Sequence, residues 1–176
     1  MSRIATIGFF DGVHLGHRYV FDCLLTKAQE LRLEPLIVTF RQHPREVLQN
    51  GYVPKLLTTP EERKRLLESY SETLILDFRD IYMLTAEQFM VYLRERYAVV
   101  GILMGYDHRF GSDRLCAYRD YAAAGKAAGI EIYQLPQYMP QTASAGDGLP
   151  QHVSSTEIRS LLQGGKASEA NELLGY

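Results

Sequence analysis

Runs of apolar and β-branched residues alternate with amphipathic stretches along the whole chain, and this alternation most restricts the possible fold. The apolar runs predict strands at 4–9, 35–40, 73–76, 98–104 and 130–135. The amphipathic stretches predict helices at 14–31, 59–70, 85–97, 118–128, 154–163 and 167–174. Strands separated by helices form a parallel sheet with helices on both faces. We therefore expect an α/β protein with a doubly wound, five-stranded parallel sheet.

The composition fits one domain and excludes several functional classes. The 176 residues are 46% hydrophobic and 23% charged, and they contain no apolar run long enough to span a bilayer. The first strand begins at once, so we expect no signal peptide. Cys23 and Cys116 form no C-x-x-C motif, which favours a reduced compartment and predicts a cytoplasmic protein. The net charge of −2 without a basic tail predicts no nucleic-acid or membrane partner.

Chemically reactive residues follow the ends of three predicted strands. They lie in segments 10–12, 39–44 and 105–111. Right-handed crossovers bring all strand carboxyl ends to one edge, where ligands bind near the topological switch point. The connections at 41–58 and 136–152 are long, and we expect them to form lids or binding loops.

The first of these segments predicts an anion site. Gly12 allows a tight turn, and the following helix start offers free N–H groups and the positive end of its dipole. His14 and His17 are three residues apart and share a helix face, while Gly16 leaves room for a group to approach the backbone. A plainer interpretation is also open, in which the histidines are ordinary first-turn residues. Asp11 either orients a histidine, approaches a metal ion, or only caps the loop.

A second helix start lies far along the chain. Ser154 and Glu157 have the spacing of a capping box, and Val153 and Ile158 that of a hydrophobic staple. These structural roles leave the hydroxyl and guanidinium groups that follow Ser154 without an explanation.

The unexplained residues are Ser155, Thr156 and Arg159, which are neighbours on one helix face. Two hydroxyls and a guanidinium at a helix start suit phosphate binding. Two such helix starts in one domain predict a polyphosphate ligand. Neither the P-loop pattern nor the G-x-G-x-x-G dinucleotide pattern is present.

The segment from Gly8 to His17 resembles the first motif of bacterial FAD synthetases, the FMN adenylyltransferase module of bifunctional riboflavin kinase/FAD synthetases. Segments 38–44, 56–67, 105–111 and 154–175 resemble the later motifs in the same order. The resemblance covers nearly the whole chain. It implies the Rossmann-like fold of the HxGH nucleotidylyltransferases and a single adenylyltransferase domain at 1–176. It also implies synthesis of FAD, in which ATP gives AMP to FMN and pyrophosphate is released. No riboflavin kinase activity is expected of these residues.

The same resemblance implies roles for particular residues. His14, His17 and Arg159 would be catalytic, the histidines by stabilising the transferring phosphate. Ser155, Thr156 and Arg159 would hold the β- and γ-phosphates, and Mg²⁺ bound with ATP would neutralise the same oxygens. The implied ATP-binding set is Gly8, Phe9, Asp11, His14, Gly16, His17, Asp107, Ser154, Ser155, Thr156 and Arg159. The implied FMN-binding set is Phe40, His43, Pro54, Leu57 and Thr58.

Three alternatives stay open. The acceptor could be pantetheine phosphate, nicotinate mononucleotide or glycerol phosphate, because enzymes that use them share the phosphate motifs. The chain departs from the family at Gln42, where Pro is usual, and at His108, Cys116 and Ala117, where Phe, Gly and Asp are usual. The last three changes leave open that the chain binds flavin or nucleotide without turnover. His14 and His17 could bind zinc, although no further ligand motif accompanies them.

The charged run 61–65 is expected to be a solvent-exposed helix face.

Overall fold

A computed structural model describes residues 1–138 and 153–176 of the chain. Over these residues the expected fold is confirmed, because five parallel strands form one sheet in the order β3-β2-β1-β4-β5. The strands are β1 (Arg3–Ile7), β2 (Glu34–Phe40), β3 (Glu72–Leu76), β4 (Val99–Met104) and β5 (Glu131–Gln134). The helices are α1 (Leu15–Leu31), α2 (Pro44–Leu48), α3 (Pro60–Glu68), α4 (Phe78–Ile81), α5 (Ala86–Tyr97), α6 (Tyr118–Ala128), α7 (Ser155–Gln163) and α8 (Ala167–Leu174).

The topological switch point lies beside the central strand. The chain runs from β1 to β2 and β3 on one side, and then crosses to β4 on the other. In the register of β1, Ile7 pairs with Val38 and Thr6 pairs with Leu103. The carboxyl ends of β1, β2 and β4 therefore open at one edge, which is where such sheets bind ligands.

Two hydrophobic clusters cover the two faces of the sheet. Alternate side chains point to opposite faces of a strand, so Ile4 packs toward α1 while Ala5 packs toward α5 and α6. A third and smaller cluster joins α7 and α8 to Leu15 and Leu57. This cluster holds the second helix start beside the first one.

Helix caps explain several of the boundaries. Thr85 and Gln88 form both bonds of a capping box, as predicted, and Gly129 ends α6 in a left-handed conformation. At α7 only half of the predicted box is present among the described residues. Ser154 accepts a bond from the Glu157 amide at 3.2 Å.

Short elements were absent from the sequence prediction. The turn Asp11–Val13 is a single 3-10 turn, and α2 and α4 are five and four residues long. Segments of one turn carry too little 3.6-residue periodicity to be recognised. The predicted first strand was also too long, because β1 ends at Ile7 and the chain then turns out of the sheet. Most of the predicted 136–152 connection lies outside the described residues. No helix in the described ranges is long and apolar enough to cross a membrane.

Candidate active site

The chain leaves β1 through a strained turn, Asp11–Val13, which we call the β1 turn. Phe10, Gly12 and Val13 have φ angles of 56°, 77° and 41°. Glycine adopts such angles freely, whereas a β-branched valine does so at a cost. The surrounding structure must therefore hold the turn in place.

Side chains from three other places on the chain hold the carbonyl groups of the β1 turn. The bonds to the turn are Ser155 Oγ to Asp11 O at 2.9 Å, Tyr176 Oη to Gly12 O at 2.9 Å, and Arg18 Nε to Val13 O at 3.2 Å. Arg18 also donates to Gly175 O at 3.2 Å and lies 5.3 Å from the centre of the Tyr176 ring. The partial negative charge of a carbonyl oxygen repels an anion. Hydrogen bonds from these donors offset that charge, so the turn can lie beside an anion such as phosphate.

Asp11 anchors the same turn through its carboxylate. It is 3% exposed and accepts bonds from the amides of Leu57 and Thr58 at 3.0 and 3.2 Å and from Thr58 Oγ1 at 3.2 Å. Thr58 Oγ1 in turn accepts a bond from the Gly12 amide at 3.2 Å. Of the interpretations left open for Asp11, this geometry favours the loop cap.

His14 and His17 stack on each other beside the turn. Their ring centres are 3.6 Å apart with an interplanar angle of 21°, and the Phe10 ring meets His17 edge-on at 5.2 Å. Burial, and then the charge of His14, hold the pKa of His17 well below 6.5. His17 is therefore a neutral imidazole at neutral pH, with one N–H donor and one acceptor nitrogen.

Gly16 serves the packing of this pair. A Cβ atom at Gly16 would lie 3.3 Å from the His14 ring and 3.3 Å from Val153 O. Gly16 was expected to leave room for a ligand group. In the structure it also leaves room for the protein's own backbone, because α1 meets the segment that leads into α7 at this residue.

Arg159 reaches the same place from α7. Its Nη2 lies 3.8 Å from Asp11 Oδ2, and its side chain is 24% exposed. Thr156 is exposed on the first turn of α7, and Ser154 is partly buried. The start of α7 and the Arg159 guanidinium therefore lie close to the β1 turn.

These groups line one cleft of about 470 Å³ at the switch point. The cleft brings together most of the predicted site residues: Gly8, Phe9, Asp11, His14, Gly16, His17, Phe40, His43, Asp107, Ser154, Ser155, Thr156 and Arg159. Pro54, Leu57 and Thr58 are not among its lining residues. Leu57 and Thr58 lie behind the β1 turn, so their position supports a structural role more than ligand contact.

Two groups of lining residues, which we call the wings of the cleft, follow the strands on either side of β1. The wing at the end of β2 is lined by Phe9, Phe40 and His43, and the Phe9 and His43 rings meet edge-on at 4.8 Å. The wing at the end of β4 is lined by residues 105–109 and 135–138. Two wings in one cleft that also contains the candidate anion site suit two substrates whose phosphates react with each other.

His108 lies in the β4 wing as an uncharged group. Burial lowers its pKa to about 4, against the opposing effect of the Asp107 carboxylate. Its Nε2 atom is buried and has no hydrogen-bond partner in the part of the chain that the structure describes.

Arg63 was wrongly predicted to be solvated with the rest of the 61–65 run. It is 3% exposed, its Nη2 donates to Phe40 O at 2.9 Å, and its Cζ lies 3.8 Å from the centre of the Phe9 ring. Burial lowers its pKa, and the Asp11 carboxylate opposes that shift. The available signal was its position on the apolar stripe of α3, four residues before the buried Leu67. Arg18 and Tyr176 were also missed, and no sequence pattern marks them.

The chain is similar to known proteins over most of its length. The sequence profile of the FAD synthetase family matches residues 1–146. The bifunctional riboflavin kinase/FMN adenylyltransferase of Bacillus subtilis is 29% identical over 182 residues, covering 99% of this chain and 54% of the relative. The Escherichia coli K12 protein of the same name is 30% identical over 177 residues, covering 98% and 54%. The chain thus spans about half the length of these relatives.

A solved structure shares the fold over nearly the whole chain. The crystal structure of a macrolide-efflux protein from Streptococcus pneumoniae superposes with a TM-score of 0.80 and 28% sequence identity. The match covers 99% of this chain and 55% of that one.

Proposed function

The chain belongs to the FAD synthetase family, and from this premise we propose that residues 1–176 form an FMN adenylyltransferase. ATP would give AMP to FMN, with FAD and pyrophosphate as products. The bond from Ser155 Oγ to Asp11 O at 2.9 Å carries the proposal. It joins the start of α7 to the β1 turn, and so builds one phosphate site from two distant motifs.

The triphosphate of ATP would lie between the histidine pair and α7. The start of α7 lines the same cleft as the histidine pair, and a helix start suits an anion. Thr156 and Arg159 would hold the β- and γ-phosphates, while Ser155, whose hydroxyl proton is donated to Asp11 O, would hold the β1 turn beside them. Ser154 would orient the helix start. Gly8, Gly16 and Asp107 would line the nucleotide's path through the cleft, whereas Phe9, which the resemblance assigned to ATP, meets the His43 ring in the wing at the end of β2. Asp11 would contribute by holding the β1 turn.

The chemical step needs positioned reactants more than acid–base groups. A phosphate oxygen of FMN attacks the α-phosphorus of ATP and forms a new P–O bond. The bond between that phosphorus and the bridging oxygen to the β-phosphate breaks, and pyrophosphate leaves with the bonding electrons. Arg159 and the helix start would stabilise the departing pyrophosphate.

The histidine pair would act first as hydrogen-bond donors. In the free protein the pKa of His17 is low because of burial and the neighbouring His14. A bound polyphosphate would bring negative charge close to the His17 ring and so raise its pKa. His17 would therefore take up a proton more readily when the ligand is present.

FMN would occupy the wing at the end of β2, where Phe40 and His43 lie with Phe9. An apolar and aromatic surface beside an anion site suits a planar ring with a phosphate tail.

Magnesium would enter as part of the MgATP substrate. Among the described residues no group of three or more His, Cys, Asp or Glu side chains is arranged to hold a metal ion. Both Asp11 oxygens already accept backbone N–H bonds. We therefore assign no step to a metal ion held by protein side chains alone.

The test is product analysis with purified protein, FMN, ATP and Mg²⁺. We expect FAD and pyrophosphate in equal amounts, and a fall in rate of about 10²–10³ in His17→Ala, because one charge-stabilising donor is lost. Full activity in His17→Ala would refute this assignment. Pyrophosphate release with pantetheine phosphate, nicotinate mononucleotide or glycerol phosphate but not with FMN would indicate another acceptor. Tight binding of FMN and ATP without turnover would indicate a binding module.

We also propose a cytoplasmic location. Cys23 and Cys116 are both unpaired, which suits a reducing compartment.

A further inference from the structure

Arg63 is a buried cation for which the proposed reaction has given no role. Its charge is costly to bury, because a guanidinium loses its hydration and must find several partners. Nη2 has Phe40 O, but Nη1 is buried without a hydrogen-bond partner among the described residues. A methionine or leucine would fill a position on this apolar stripe of α3 without that cost.

Both contacts of Arg63 end on the wall of the β2 wing. The bond to Phe40 O holds the point where β2 ends and the chain turns toward His43. The flat contact with Phe9 holds the ring that meets His43 edge-on at 4.8 Å. One side chain thus fixes two members of the wall directly and the third through Phe9.

The anchoring of α3 explains how Arg63 keeps this position. Thr59 caps the helix with a full capping box, and Thr58 just before it is bonded to Asp11 of the β1 turn. The start of α3 is therefore tied to the phosphate site, and Arg63, at the fourth residue of the helix, extends from there to the ends of β1 and β2.

We propose that Arg63 is a positioning residue for the acceptor: it acts through Phe9 and Phe40 to set the wall against which the flavin ring packs. This inference rests on the proposed function, because it takes the occupant of the β2 wing to be FMN. It predicts that loss of Arg63 weakens the binding of FMN much more than the binding of ATP.

The first measurement is direct binding to the whole chain, with FMN followed by its fluorescence and ATP by calorimetry. Arg63→Met keeps the length and apolar character of the side chain but removes the bond and the cation–π contact. We expect FMN binding to weaken about tenfold and ATP binding to change by less than about threefold. Arg63→Lys can restore the bond to Phe40 O but not the flat contact, so we expect partial recovery. Arg65→Met, at an exposed position on the same helix, is the matched control and should bind both ligands normally.

The second measurement needs no substrate. The Phe9 ring shifts the NMR signals of the His43 imidazole, which are identified by their loss in His43→Gln. We expect these signals to move in Arg63→Met and to stay in place in Arg65→Met. Circular dichroism checks that each variant is folded. If Arg63→Met does not fold, both measurements are made on Arg63→Lys instead.

The outcomes separate the two proposals. Unchanged FMN affinity in a folded Arg63→Met protein overturns the role of Arg63, as does an equal loss of FMN and ATP affinity. If the wild-type protein binds no FMN, the proposed function and the acceptor role both fall. The positioning of His43 by Arg63 is then supported or refuted by the NMR signals alone.

Discussion

At the residue scale, the site depends on side chains that hold the backbone as much as on those that face the ligand. Asp11 accepts bonds from two backbone amides and a hydroxyl, and Tyr176 donates its hydroxyl to Gly12 O. Neither residue needs to touch a phosphate to matter. Because Phe10 and Val13 have unfavourable φ angles, losing a brace allows the turn to relax away from the geometry that binds phosphate.

Tyr176→Phe tests this bracing with the loss of one hydroxyl. The ring is 55% exposed, so the fold should tolerate the change. We expect a fall in kcat/KM of about fivefold, which corresponds to one hydrogen bond worth about 1 kcal/mol. Steady-state kinetics with ATP as the varied substrate measures it. Tyr82→Phe, at another exposed tyrosine, is the control, and equal kinetics in both variants would contradict the bracing role.

His108 gives a prediction about pH. Its native pKa of about 4 lies below the value of 6.5 of an exposed histidine. Between these values the unfolded chain takes up a proton that the native protein does not, so the free energy of unfolding falls as pH falls through this window. The contribution of His108 reaches about 3 kcal/mol. It is fully present above pH 6.5.

His108→Phe removes this contribution and leaves the other titrating groups in place. Urea unfolding from pH 7 to pH 4 should therefore give a shallower loss of stability in the variant than in the wild-type protein. Two parallel stability curves would show that His108 is accessible and titrates normally.

At the element scale, the sequence predicted the arrangement of strands and long helices but not the short pieces between them. The helix at 118–128 was predicted at its true bounds because Gly129 ends it in a left-handed conformation. By contrast, α2 and α4 have too few residues to show a periodic pattern. For the site, the motifs predicted that the segment with His17 and the helix start at Ser155 would serve one polyphosphate, and both segments line the same cleft. They did not indicate that Arg63 is buried, because a charged residue in a charged run looks exposed until its helix is packed.

The approach of α1 to the start of α7 can be tested at Gly16. Gly16→Ala adds a methyl group 3.3 Å from the His14 ring and from Val153 O. Alanine also favours the helix by about 1 kcal/mol. We therefore expect ATP binding to weaken by about tenfold, as the two helix starts are pushed apart, while thermal stability is retained. Calorimetry with ATP and a melting curve measure the two effects.

Gly164→Ala is the control at the far end of α7. A Cβ atom there meets only carbonyl oxygens of its own helix, at 3.4 and 3.5 Å. Its ATP binding should be unchanged. Undisturbed ATP binding in Gly16→Ala as well would show that the contact between α1 and α7 does not set the phosphate site.

At the scale of the whole molecule, the site joins a large core to a small one. The sheet and its flanking helices share two extensive hydrophobic clusters, whereas α7 and α8 pack on a separate cluster of few residues. Elements with few apolar contacts open locally more often than the main core. A nucleotide between the β1 turn and α7 would bind only the closed form and so oppose this opening.

Hydrogen exchange should detect this coupling. With saturating ATP and Mg²⁺ we expect the amides of α7 and α8 to exchange about tenfold or more slowly, because bound ligand stabilises the closed form. The amides of α5, which packs in the main core and contributes no residue to the cleft lining, should change little. Equal slowing in α5 and in α7 would mean that the helix pair opens only with global unfolding.

The bond between Ser155 and Asp11 spans 144 residues, and that between Tyr176 and Gly12 spans 164. During synthesis the β1 turn emerges from the ribosome before Ser155 and Tyr176, two of the side chains that brace it, have been made. The sheet can form before then, since β5 ends at Gln134. We therefore expect a nascent chain to fold well before it gains affinity for ATP, and to gain that affinity only when residues 155–176 have left the exit tunnel.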